Sequence, residues 1–529
     1  MRELTSYIVR SLLLVATFGL FTTSCDEPPR EEILKVYNWG DYIDEELIAE
    51  FEEWYEQQTG TPVKVVYQTF DINEVMLAKI EKGEADFDVV CPSEYIIERM
   101  MRNDLLQPIV TEEWLKDIEA TGTENYLGCV SPYIINQFSH ITAPEGHNPN
   151  DYSVGYMWGT TGILYNTEYV KAEEAESWNL MFDERLKDKI LVKDAFRDVY
   201  SPMLVYAKTL EARKAGILDS DETLPLNREA AEGREKLFNE RGELLVPTIE
   251  ELMYDSSDES IALVEGYLKR MKRLVAGWEA DFGKEMMTQE KAWINLMWSG
   301  DAVWAIEEAA EVGVSLDYAV PKEGSVVWFD GWVIPKYAKN TRAARYFINF
   351  MCKPENAVRN MDATGYVSVI GTAETLEAME LLTPILAEIE ACDDEEERAE
   401  LEAARDEILE MGPTDLSYFF KDENGEPLRF VNENGYEICA DSVYVDPIMY
   451  PDQSIIDRCA MMHDSGDQTD KMLEMWSRVK GDNLSPTMLY GIIIFFSALL
   501  IWGIWRKIAK RRKLNKMRKR RKHSEKANK

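Results

Sequence analysis

Six short clusters of aromatic with acidic or hydroxyl residues recur along this chain. They are Tyr37-Asn38-Trp39-Gly40-Asp41-Tyr42, Cys91-Pro92-Ser93-Glu94-Tyr95, Tyr156-Met157-Trp158-Gly159, Trp298-Ser299-Gly300-Asp301, Trp328-Phe329-Asp330 and Thr364-Gly365-Tyr366. Trp and Tyr faces attract an ammonium group through the ring quadrupole. Carboxylates add counter-charge and charge-assisted hydrogen bonds. Taken as a set, the clusters read as a pocket for a small polyvalent cation. Singly, each residue also fits a plainer role. Trp39, Trp158 and Trp298 suit a core, and Asp41, Ser93 and Asp301 suit helix N-caps. Tyr366 suits a loop. Asp330 follows two large apolar residues in a strand-like run, where a buried carboxylate needs a partner. It is the strongest single candidate.

Other chemistry is poorly served. The chain has four His, too few for His-based acid–base or metal chemistry. No G-x-S-x-G, H-E-x-x-H, Walker loop or G-x-G-x-x-G is present. Six cysteines beyond Cys25 (Cys91, Cys129, Cys352, Cys392, Cys439 and Cys459) are scattered without a C-x-x-C pair, so a zinc site is not expected and no disulfide pairing is dictated. Paired carboxylates could hydrolyse glycosides, but nothing in their spacing selects that. A binding protein is expected rather than an enzyme, with no cofactor and no metal.

The elements that must position these clusters follow one rhythm. Residues 33–37 read as a buried strand and 45–58 as an amphipathic helix with Leu47, Ile48, Phe51, Trp54 and Tyr55 on one face, stopped by Gly60. A strand at 63–67, a helix at 73–82 and a strand at 87–91 follow, and Pro92-Ser93-Glu94 opens another helix. Strand and helix in alternation predict a parallel α/β sheet, and such sheets bind ligands beyond the carboxyl ends of strands. Further on, 190–192, 293–298 and 326–335 read as strands. Residues 227–238, 259–279 and 342–351 read as helices. The Glu-rich stretch 393–411 reads as a solvated surface helix, and the turn sequences at 421–425 and 432–435 predict a hairpin.

The two ends differ from the body. Arg2 and Arg10 precede an apolar run from Leu12 to Phe21, and small residues lead to Cys25. This is a secretory signal, with Cys25 expected as a lipidated first residue. Residues 483–505 carry no charge and are long enough to span a bilayer. Residues 506–529 then hold fourteen Lys/Arg and one Glu, which places the tail on the cytoplasmic side. The formal charge of −39 therefore understates how acidic the rest of the chain is. Such a body repels nucleic acid and attracts cations.

In order and number, the clusters resemble the spermidine/putrescine-binding proteins of bacterial ABC transporters. The similarity covers residues 33–371 and 448–480 and includes Pro321-Lys322-Glu323-Gly324 and Tyr450-Pro451-Asp452. The resemblance implies an α/β, two-lobed periplasmic-binding-protein fold (type II-like) with a hinge and an interlobe cleft. One lobe would be 31–152 with 328–445, carrying an acidic helix and hairpin insertion at 372–447. The other would be 153–327 with 446–482. A signal peptide (1–25), a transmembrane helix (484–505) and a basic tail (506–529) complete the expected plan.

By position, the resemblance implies ligand contacts from Trp39, Asp41, Tyr42, Ser93, Tyr95, Trp298, Trp328, Asp330 and Tyr366. Asp194 and Asp198 would hold the far end of the ligand. Gly40 stands where the family has Ser or Thr, and Met462 falls where it has Gln. The implied partners are a polyamine, the permease and ATPase subunits of an ABC transporter, and the inner membrane through lipid and transmembrane anchors, with the binding domain outside. The alternative is a receptor subunit that reports polyamine occupancy through its single span.

Overall fold

The computed structural model describes residues 29–83, 85–280 and 282–481. The expected signal segment, Cys25, the apolar run at 484–505 and the basic tail lie outside the described residues. Among the described residues, no helix is long and apolar enough to cross a membrane.

Fourteen strands are described. They are β1 (Ile33–Trp39), β2 (Lys64–Phe70), β3 (Val89–Val90), β4 (Leu106–Gln107), β5 (Ser153–Asn166), β6 (Ile190–Lys193), β7 (Val275–Glu279), β8 (Ile294–Trp298), β9 (Leu316–Ala319), β10 (Ser325–Pro335), β11 (Val367–Ser368), β12 (Arg429–Val431), β13 (Glu437–Cys439) and β14 (Cys459–Ala460). The helices that matter for the site begin with α1 (Glu46–Thr59), α2 (Asn73–Glu81), α3 (Glu94–Arg102), α4 (Phe196–Lys214), α5 (Asp258–Met271) and α6 (Gly283–Thr288). They continue with α7 (Ser299–Glu311), α8 (Thr341–Met351), α9 (Pro354–Thr364), α10 (Leu382–Ala391), α11 (Glu395–Met411) and α12 (Thr469–Gly481).

One long sheet runs in the order β2-β1-β3-β10-β5-β8-β6-β7. Its two ends are parallel: β1 pairs β2 and β3, as the alternation of strand and helix over 33–91 predicts, and β6 pairs β7 and β8. The middle departs from a purely parallel sheet. β5 and β10 lie antiparallel to each other, β10 antiparallel to β3, and β5 antiparallel to β8. Every residue of both strands is buried. Strands covered on both faces must be apolar almost throughout, and long enough here to serve both parallel ends.

Helices cover the sheet as their spacing dictates. α1 buries Leu47, Phe51 and Tyr55 and ends at Gly60, whose φ of 67° needs no Cβ. Phe51 meets Phe347 of α8 edge to face at 5.1 Å between ring centroids. Two expected helices are different in the fold. Residues 227–238 form turns and one short 3-10 segment, because Asn227 accepts from the Ala230 amide and Gly233 sits at φ +83°. The helix expected over 259–279 ends at Met271, and Val275–Glu279 becomes the edge strand beside β6. Around 372–447 the fold adds the helix pair α10 and α11 and the β12–β13 hairpin. Phe419 from this region is fully buried and stacks on Trp158 at 5.3 Å.

Candidate functional site

A cleft of about 680 Å³ opens where the carboxyl ends of β1, β6 and β8 meet the middle of β10. All eleven expected contact residues line it: Trp39, Asp41, Tyr42, Ser93, Tyr95, Asp194, Asp198, Trp298, Trp328, Asp330 and Tyr366. β1 delivers Trp39 at its last position, and the turn after it carries Asp41 and Tyr42. Ser93 immediately precedes α3, but its hydroxyl does not cap that helix. Asp194 and Asp198 follow β6, and Trp298 ends β8. Trp158 is not in the cleft; it is wholly buried against Phe329 and Phe419.

Asp330 is the centre of a buried polar network. Ser93 Oγ donates to Asp330 Oδ1 at 2.7 Å, and Tyr42 Oη donates to Oδ2 at 2.9 Å. The backbone makes this possible. Register shifts between Asp330 and Gly331, Ser93 forms a lone bridge with Asp330, and the Gly331 amide donates to Pro92 O at 3.0 Å. Burial pushes the Asp330 carboxyl up to about 7, against the two donated hydrogen bonds, and nearby Asp198 adds to the rise. No cation pairs with Asp330 among the described residues.

A second acidic patch lies across the cleft. Trp298 Nε1 donates to Asp198 Oδ1 at 2.9 Å, and burial pushes Asp198 up to about 6. Tyr95 Oη donates to Glu74 Oε1 at 3.1 Å, and burial also raises the Glu74 carboxyl. Asn73 ties the two patches together by donating to Ser93 Oγ at 2.9 Å and Tyr95 Oη at 3.1 Å.

Rings enclose the space between. Tyr366 meets Tyr42 at 5.0 Å and Trp328 at 5.6 Å, both edge to face. Two glycines seat these rings. A Cβ at Gly300 would lie 2.3 Å from the Tyr366 ring, and one at Gly159, opposite Trp328 in the β5–β10 register, would lie 2.6 Å from that indole.

Two lining carboxylates differ in that cations already hold them. Lys193 Nζ lies 2.6 Å from Asp301 Oδ2 and 3.3 Å from Glu279, and 4.4 Å from the centre of the Trp298 ring. Lys284 lies 3.5 Å from Asp301 Oδ1, which also accepts from Tyr366 Oη at 2.8 Å. Burial alone would raise Asp301, but the two lysines hold it below its usual range. Asp194 is gripped at both oxygens by Lys480 and accepts from Trp476 Nε1 at 3.1 Å, both residues of α12. Asp194 therefore reaches the cleft as half of an ion pair, and Asp198 is the free member of the expected acidic pair.

Sequence reasoning missed Asn73, Glu74, Lys193 and Lys480. Lys193 closes the apolar run Ile190-Leu191-Val192, and Glu279 closes a strand in the same way. A charged residue closing the fully buried strand β6 was the available signal for Lys193.

This arrangement, a curled mixed α/β sheet with a polar, ring-walled cleft at its strand ends, defines a periplasmic-binding-protein fold. Residues 46–381 match bacterial extracellular solute-binding protein, and the chain belongs to that family. It is similar to the spermidine/putrescine-binding periplasmic protein of Escherichia coli, 27% identical over 355 residues, which are 67% of this chain and 81% of that one. The putrescine-binding periplasmic protein PotF of E. coli is also 27% identical, over 66% of this chain and 81% of its own. Among solved structures, a putative spermidine/putrescine ABC transporter protein from Listeria monocytogenes is 26% identical with a TM-score of 0.55, covering 85% of this chain and 99% of that chain. A Streptococcus pneumoniae spermidine/putrescine transporter substrate-binding protein is 25% identical with a TM-score of 0.50, covering 85% and 98%. These relatives are solute-binding proteins of transporters and not enzymes.

Proposed function

We propose that this chain is a membrane-anchored extracytoplasmic protein that captures a polyamine of the putrescine/spermidine class and delivers it to an ABC transporter permease. One observation carries the reading. Asp330, Asp198 and Glu74 line a desolvated, ring-walled cleft, and none of them has an ion-pair partner among the described residues. Buried charges need partners, and an alkyl diammonium would supply them while its methylenes lie against Trp298, Trp328 and Tyr366. In this reading Asp330, with Tyr42 and Ser93, holds one ammonium. Asp198, with Tyr95 beyond it, holds the other, and Trp39 and Asp41 stand at the rim. The names of the relatives point the same way.

The two lobes would be 31–152 with 328–445, and 153–327 with 446–482, closing on the ligand about β5 and β10. Lipidation at Cys25 and a span at 484–505, with the basic tail in the cytoplasm, would hold the protein at the membrane. The permease and ATPase would be its partners.

A thermal-shift panel on the full-length protein tests this. Putrescine, spermidine, spermine, basic amino acids and neutral sugars are compared. Ligand binding to the folded state alone raises the melting temperature. A rise of several degrees with a polyamine and none with sugars is expected. No rise with any amine sinks the proposal.

A further inference from the structure

The charge balance inside the cleft is uneven, and its sum can be read from the ion pairs. Lys193 and Lys284 face Asp301 and Glu279, two ammoniums against two carboxylates. Lys480 neutralises Asp194. Glu94 does not line the cleft: it is wholly buried behind it, where Oε2 accepts from the Phe329 amide at 3.0 Å, and burial raises its carboxyl. Asp330, Asp198 and Glu74 remain. One further cation acts on this group, the Arg197 guanidinium, which is buried and spends its hydrogen bonds on Ser465 Oγ, Met253 O and His463 O. It lies 5.8 Å from the centre of the Tyr95 ring and bears on both Asp198 and Glu74. Three carboxylates against one guanidinium leave a surplus of two negative charges. At the mouth, Asp41 and Asp71 face solvent together with Lys79 and Lys82. These exposed charges balance and are screened.

We infer that the cleft is matched in charge to a dication, and that Lys193 and Lys284 act as resident ammonium groups that exclude a third ligand ammonium. The inference rests on the polyamine reading above and narrows it to diamines. A diamine neutralises the surplus. A triamine places one uncompensated positive charge in desolvated space beside Lys193 and Lys284, where it finds Asp301 already saturated. Size does not make this choice, since a cleft of about 680 Å³ holds either chain length. Lys284 is the specificity-determining residue open to test, because its side chain is 22% exposed whereas Lys193 is buried.

Isothermal titration calorimetry on the full-length protein at pH 8 compares putrescine with spermidine. The expected result is at least tenfold tighter binding of putrescine. Lys284→Gln removes one resident ammonium, and the ratio should move at least fivefold toward spermidine. A second probe needs no variant: N-acetylspermidine is as long as the triamine but doubly charged, and should bind more tightly than spermidine. Spermidine binding the parent protein as tightly as putrescine overturns the inference and leaves the polyamine reading standing. So does an unchanged ratio in Lys284→Gln. No binding of either amine is a different result, in which the polyamine reading itself fails.

Discussion

Asp330 is expensive for the empty protein to ionise. Its carboxyl is raised to about 7 by burial, with Tyr42 and Ser93 donating to it and Asp198, Glu94 and Cys91 as its titratable neighbours. The unfolded chain ionises this group near pH 4. Between about pH 4 and pH 7 the folded state therefore holds a proton that the unfolded state has lost, and stability falls as pH rises through that window. Asp330→Asn removes the effect. The unliganded variant should be more stable than the parent at pH 8 by on the order of a few kcal/mol, and so melt higher. Its affinity for putrescine should drop at least tenfold, because an ammonium would lose its paired charge. A variant that melts lower and binds equally well would remove Asp330 from the site.

The same proton governs ligand affinity. An ammonium must displace it from Asp330, raised to about 7, and from Asp198, raised to about 6. Binding should weaken roughly tenfold or more between pH 8 and pH 6, following the fraction of carboxyl already protonated. Calorimetry at both pH values, in buffers of different ionisation enthalpy, should also record proton release. Equal affinity at pH 6 and pH 8 would mean that neither carboxylate meets the ligand.

At the scale of elements, the strand ends decide what the site can do. β6 and β7 are parallel neighbours whose last residues, Lys193 and Glu279, are fully buried and 3.3 Å apart. With Asp301 they lock the base of the cleft beneath the Trp298 ring. Lys193→Met leaves buried Glu279 without an ammonium and Asp301 with Lys284 alone, and should lower stability by about 3–5 kcal/mol. A urea midpoint within error of the parent would show that the pairing is dispensable. The helix pair α10 and α11 is the opposite case. α10 buries only Thr383 and α11 only Ile408. The ends of this excursion lie close together, since the Leu381 amide donates to Tyr444 O and Thr414 bridges Val443. Replacing 382–411 with a short Gly/Ser link should leave putrescine affinity within about twofold and the melting temperature within a few degrees. A large loss of affinity would give the pair a part in binding.

Two of the strands that carry rings were legible in the sequence as short apolar runs with an aromatic at the end, Trp39 in β1 and Trp298 in β8, while Trp328 stands inside the long strand β10. The pairing of Asp194 was not legible, because Lys480 lies 286 residues away and only the fold brings the two together. Nor could local periodicity reveal that 275–279 leaves its helix to flank β6, since that depends on a sheet edge waiting to be covered.

The molecule as a whole is strung on β5 and β10, which pair from Val327 opposite Thr160 to Val333 opposite Ser153. The alternation of strand and helix over 33–91 foretold the parallel β2-β1-β3 end of the sheet, whereas β7 at the other end stands where a helix is expected and the antiparallel middle came from the fold. α12 adds something of its own. It is the last described element, and its Leu473, Trp476 and Lys480 form part of the cleft wall. The cleft therefore has a handle. A pull on the C-terminal end of α12 would meet the clasp between Lys480 and Asp194 first, since Lys480 stands one residue before Gly481. Releasing that clasp would expose a fresh carboxylate inside the cavity while dragging Trp476 from its rim. A tethered copy of this protein would hold its cargo differently when slack and when stretched.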